Sequence, residues 1–84
     1  MFINKTPDGR NNISGLNIRH FRRQQGLSQR ELADRMQLLG MDMDKNAIQR
    51  IEAGLRFITD IELKTFAAFF QVTADTLLTT EAPH

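Results

Sequence analysis

Apolar residues recur along most of the chain at the spacing of helices, and no stretch shows the strict alternation of a half-buried strand. The clearest stripe is Leu63, Phe66, Ala67 and Phe70, at i, i+3, i+4 and i+7. Leu32, Ala33, Met36 and Leu39 form a second stripe, at i, i+1, i+4 and i+7. Ile48 and Ile51 set the inward side of another helix, and Leu77 and Leu78 that of a short last one. Leu16, Ile18, Phe21 and Gln25 are only loosely periodic.

Capping residues and glycines divide these stripes into five helices. Ser14 is the expected cap of a first helix that starts at Gly15 or Leu16, runs to Gln25 and stops at Gly26. Leu27 is expected to pack back against it. Ser28-Gln29-Arg30-Glu31 is a capping box and opens the second helix, which Gly40 ends. Met41 to Met43 forms a connector. Asp44 caps a third helix, Lys45 to Ala53, which Gly54 terminates. Thr59-Asp60-Ile61-Glu62 is a second capping box, and Thr73 caps the fifth helix. The pattern predicts an all-α domain over residues 15–79, with a flexible, Asn-, Gly- and Pro-rich arm at 1–14 and a tail at 80–84. Phe2 and Ile3 offer apolar side chains that could dock on the body. The expected core is Ile18, Phe21, Leu27, Leu32, Ala33, Met36, Ile48, Ile51, Leu63, Phe66, Ala67, Phe70, Val72, Leu77 and Leu78.

Composition narrows the function. A chain of 84 residues holds one domain, and a domain of that size buries only about 60–65% of its unfolded surface. No apolar run is long enough to span a bilayer, and the N-terminus lacks the pattern of a signal peptide. There is no cysteine, which excludes disulfides and thiolate metal sites, and a cytoplasmic protein is expected. His20 and His84 are isolated, without a second ligand at metal spacing. No base and orienting group can be named for any serine or acid, and the glycines sit at turns and helix ends. Neither catalysis nor a cofactor or metal is expected.

Net charge is only +1, but it is unevenly spread. Arg10 to Arg56 holds nine basic residues against five acids, and Phe57 to His84 one lysine against four. A polyanion would meet the first two thirds and avoid the rest. On charge alone, an uneven solvated surface is an equal alternative. The third helix sharpens the choice, because Lys45, Asn46, Gln49 and Arg50 share the face opposite Ile48 and Ile51. Arg and Lys match guanine edges in the major groove, and Asn and Gln match adenine edges. The same side chains also cover ordinary solvated helices, so the face alone does not decide.

The order of elements adds to this. Ile18-Arg19-His20-Phe21-Arg22, Gly26-Leu27-Ser28-Gln29-Arg30-Glu31-Leu32-Ala33, Ile48-Gln49-Arg50-Ile51-Glu52-Ala53-Gly54 and Phe70 to Leu78 follow one another in a familiar sequence. The segment from Ile18 to Leu78 resembles the helix-turn-helix family of phage Cro and repressor proteins, also called the XRE type. The resemblance implies a compact, five-helix, lambda-repressor-like DNA-binding domain, with helices 2 and 3 as the helix-turn-helix. It implies base contacts from Lys45, Asn46 and Arg50, with Gln49 beside them, and phosphate contacts from Gln29 and Arg56. It also implies an ion pair between Arg22 and Glu52 that joins the first helix to the third.

The chain departs from the family's tight turn at Gln37 to Met43, which inserts extra residues before the third helix. Either the second helix is longer or the turn loops out. Asp42 near the presumed groove would repel phosphate. The resemblance implies a transcriptional regulator of double-stranded DNA, with a repressor as the expected sense, acting as a homodimer on a two-fold site. Leu77, Leu78 and Phe69 are the candidate dimer residues. Two alternatives use the same fold: an antitoxin that binds a toxin and represses its own operon, and a protein-interaction module.

Overall fold

A computed structural model describes residues 4–80. Phe2, Ile3, His84 and the rest of the tail from Glu81 lie outside the described residues. Five helices form: α1 (Gly15–Gln24), α2 (Gln29–Leu38), α3 (Lys45–Glu52), α4 (Asp60–Phe70) and α5 (Ala74–Leu78). No strand occurs among the described residues. The domain is all-α.

Local chemistry sets most of the ends. Ser28 Oγ accepts from the Glu31 amide while Glu31 Oε1 accepts from the Ser28 amide, and Thr59 and Glu62 do the same for α4. Asp44 and Thr73 accept from Ala47 and Thr76 at the starts of α3 and α5. Each side chain satisfies an amide that has no carbonyl in the first turn of a helix. Ser14 departs from expectation. It stands before α1 in a helical conformation and makes no side-chain cap bond. Asn12 Oδ1 accepts from the Gly15 amide instead, at 2.8 Å. Gln71 takes the left-handed position (φ 59°) that closes α4, a place where glycine stands in α1, α2 and α3.

The core is Ile18, Leu32, Ala33, Met36, Met43, Ile48, Ile51, Phe66, Ala67, Phe70 and Leu77, with Phe21, Leu63 and Val72 half-buried against it. α2 and α3 pack together, α1 lies on α3 and α5, and α4 lies on α5. Four apolar residues depart from their expected places, the first being Leu27, which is half-buried and outside the core cluster. Leu39 is 51% exposed, because α2 stops at Leu38 and Leu39 is already in the turn. Leu78 is 41% exposed at the end of α5, where only Leu77 faces in. Phe69, expected as a dimer residue, is half-buried, edge-on to Phe70 at 5.1 Å.

The long connector is a built element. Gly40, at φ 88°, lets the amides of Gly40 and Met41 close onto the carbonyls of Gln37 and Met36. Gln37 Nε2 then donates to the Met43 carbonyl at 2.8 Å, and the Met43 side chain enters the core at 1% exposure. Of the two expected alternatives, the turn loops out, and the inserted segment is tied at both ends.

The segment before α1 is also attached. Arg10 Nη2 donates to the Glu52 carbonyl at 2.8 Å, and Asn12 Nδ2 donates to the carbonyls of Ile51 (2.9 Å) and Arg56 (2.8 Å). The Asn11 amide donates to the Gly54 carbonyl at 2.7 Å. Residues 10–12 thus satisfy carbonyls at the end of α3, which differs from the free arm expected over this stretch. Gly15 belongs to the same contact. A Cβ there would collide with the Ile51 carbonyl, a backbone atom that cannot yield.

Candidate nucleic-acid interface

α3 has two faces with separate tasks. Ile48 and Ile51 are fully buried, and Glu52 is buried beside them. Lys45, Asn46, Gln49 and Arg50 are all exposed, and none makes a side-chain hydrogen bond or ion pair among the described residues. Four uncommitted polar tips on one helix face can reach a groove without breaking any internal contact. Asp44 is committed as the cap of the helix, through its bond to the Ala47 amide. Asp42 is exposed in the connector.

The orientation of that face is fixed from below. Arg22 Nε donates to Glu52 Oε2 at 2.7 Å and Arg22 Nη2 to Glu52 Oε1 at 3.0 Å. The side chains are 10% and 4% exposed. Arg22 Nη1 donates to the Leu27 carbonyl at 2.7 Å, which ties the α1–α2 turn into the same cluster. Gln29 Nε2 reaches Glu52 Oε1 at 3.2 Å. One carboxylate therefore joins the end of α1, the start of α2 and the end of α3. A parallel two-bond geometry between guanidinium and carboxylate fixes angle as well as distance.

The two expected phosphate residues are engaged within the protein. Gln29 is half-buried at the first turn of α2 and spends an amide hydrogen on Glu52. Arg56 forms two bonds of 3.0 Å to Glu62 and a third to the Phe57 carbonyl. The hydrogen bonds from Arg56 hold the Glu62 carboxyl below the usual range, against desolvation that pushes it up, and the Thr59 amide adds to the lowering. The same pair raises the Arg56 guanidinium. Its side chain stays 29% exposed, so it remains at the surface but largely neutralised.

Sequence reasoning missed Arg10, Asn12 and Asn17. Asn17 is 1% exposed, and its Nδ2 donates to the carbonyls of Leu77 and Thr79 at the end of α5. An asparagine beside Ile18 in a weakly apolar helix was the available signal.

A helix whose outward face is polar and uncommitted, packed on a capped preceding helix and locked to the first helix by a buried ion pair, defines a helix-turn-helix domain. The comparisons agree. A helix-turn-helix family model matches residues 18–77, most of the chain, and the chain belongs to this Cro- and repressor-type (XRE) family of DNA-binding regulators. Neither a curated protein nor a solved structure matches it. Members of the family are typically not enzymes. Among the described residues, no helix is long and apolar enough to cross a membrane.

Proposed function

We propose that the protein is a sequence-specific transcriptional regulator that inserts α3 into the major groove of double-stranded DNA and acts as a repressor. The observation that supports this most is the exposed, unpaired face of Lys45, Asn46, Gln49 and Arg50 above the fixed Arg22–Glu52 pair. In this reading Asn46 pairs with an adenine edge, Lys45 and Arg50 with guanine edges, and Gln49 with a neighbouring base. Gln29 and Arg56 hold the backbone. Arg56 contributes less than a free cation would, because Glu62 already balances its charge.

Selection of bound sequences from a random duplex pool gives the operator. Asn46→Ala and Arg50→Ala should then each lose about 1–3 kcal/mol on the operator and less on mismatched duplex. Unchanged preference in both variants would remove α3 as the reader.

Two copies on a two-fold site would place their α3 helices about 34 Å apart. Leu77 is fully buried and Phe69 is packed on Phe70, so of the expected dimer residues only Leu78 is open. It lines a groove with Ile13 and Phe57, which are 43% and 54% exposed. This groove is the proposed dimer face. Sedimentation of Phe57→Glu, expected to be monomeric at concentrations where the wild type is dimeric, tests it.

A second reading keeps the DNA contact and adds a toxin as partner. It is favoured by the apolar tip of α2, where Leu38 is 81% exposed beside Leu39. Co-purification with the product of an adjacent gene, lost in Leu38→Glu, would support it.

A further inference from the structure

Beside the reading face lies a cleft of about 190 Å³ between α1, α2 and α3, lined by Arg19, Arg22, Arg23, Gln29, Gln49 and Glu52. It holds three guanidinium groups and one carboxylate. Both oxygens of Glu52 are taken by Arg22, and Oε1 also accepts from Gln29. Nothing acidic in the cleft is left for Arg19 and Arg23. Both are exposed, and neither has a hydrogen-bond or ion-pair partner among the described residues. They stand at i and i+4 on α1, where like charges repel and weaken a helix. The cleft thus carries two uncompensated positive charges at some cost to the fold.

Its position says what those charges are for. One wall is Gln49, on the outward face of α3 a turn beyond Lys45. Another is Gln29, at the first turn of α2, where amides without intrahelical partners make the environment favourable to an anion. A duplex whose major groove received α3 would bring its sugar-phosphate backbone along this edge. We propose that the cleft holds one backbone phosphodiester of that duplex, gripped by Arg19 and Arg23. The inference rests on the DNA reading above and adds two residues to it that the sequence did not single out. The cleft is open and Arg19 and Arg23 are exposed to solvent, which screens their charge, so a free phosphate ion gains little there. A phosphodiester is delivered by the anchoring of α3.

The test compares Arg19→Gln, Arg23→Gln and, as a control on α4, Lys64→Gln, by titration of the selected operator and a mismatched operator over a range of salt. Each phosphate contact contributes close to one unit to the slope of log affinity against log salt. One phosphodiester is worth about one unit in all, so Arg19→Gln and Arg23→Gln should each lower the slope by part of that unit, the two losses together reaching about one, and each should weaken both duplexes by the same factor. Lys64→Gln should leave the slope as in the wild type. Retention of the full wild-type slope by both cleft variants overturns the inference while leaving the reader intact. A wild type with no salt-dependent binding to any duplex removes the DNA reading, and the cleft proposal with it. In a separate arm, inorganic phosphate is titrated and followed by amide NMR shifts of Gln29 and Arg30. Saturable shifts lost in Arg19→Gln, with an unchanged DNA salt slope, assign the cleft to a free anion and overturn the proposal.

Discussion

Glu52 is buried at the junction of three helices with both carboxylate oxygens bonded, and that makes it sensitive to substitution. Its partners are Arg22 through two bonds and Gln29 through one. Removing it leaves the Arg22 guanidinium buried and short of an acceptor. Glu52→Ala should therefore cost about 3–5 kcal/mol, the range for one partner removed from a buried pair. A thermal melt checks it, and an unchanged midpoint would mean that Arg22 finds water or another acceptor. Glu52 and Arg22 entered the sequence reading only through the family resemblance. Hydrophobic periodicity has no means of showing a buried charged pair, because both residues count as polar. Asn12 and Asn17 were illegible for the same reason. Their worth lies in backbone carbonyls far away in sequence.

At the scale of elements, every helix start was legible, since a cap is a local event between residues three apart. What was not legible at α1 is the bond itself, because Asn12, and not the expected Ser14, accepts from the Gly15 amide. Gly40 closes α2 as expected, but the last regular residue is Leu38, so Leu39 falls in the turn and is exposed, and Met43 enters the core from the connector. The start of α4 shows how a cap can be joined to another element. Glu62 bonds the Thr59 amide and also receives Arg56 from the preceding loop. Its carboxyl is lowered first by the Arg56 hydrogen bonds, against desolvation. A lowered folded value means that the stabilisation is fully present above the unfolded pKa, near 4.3. It is lost as pH falls through the folded value. The stability difference between wild type and Glu62→Gln should be constant near neutrality and shrink below about pH 5. Denaturant melts at several pH values measure this. A difference that persists undiminished at pH 2 would mean that packing, not charge, ties Glu62 to the loop.

The whole molecule divides into a surface that can meet DNA and a remainder that holds it still. The basic excess from Arg10 to Arg56 was visible in the sequence, but which cations are free was not. Among the described residues, the structure ties Arg10, Arg22 and Arg56 to the protein and leaves Arg19, Arg23, Arg30, Arg35, Lys45 and Arg50 uncommitted. That distinction depends on contacts across the fold and cannot be read from charge density. The segment at residues 10–12 belongs to this scale too. Asn12 uses both amide hydrogens on carbonyls of the end of α3 and the loop after it. Asn12→Ala leaves these buried acceptors short, at about 1–3 kcal/mol. It should lower stability and, by loosening the end of α3, also weaken discrimination between operator and mismatched duplex. Loss of stability with discrimination intact would show that the contact serves the fold alone.

The bonds from Asn12 to Ile51 and Arg56 join residues 39 and 44 positions apart. Closing so long a loop carries an entropic penalty that a turn within a helix does not. A partial opening that releases residues 4–12, while the five helices stay packed, is therefore expected to require less free energy than global unfolding. Native-state hydrogen exchange should record it as a separate cooperative unit. The Asn11 amide, which donates to the Gly54 carbonyl, would exchange faster than the Ile51 amide inside α3, and without the denaturant sensitivity of a full unfolding event.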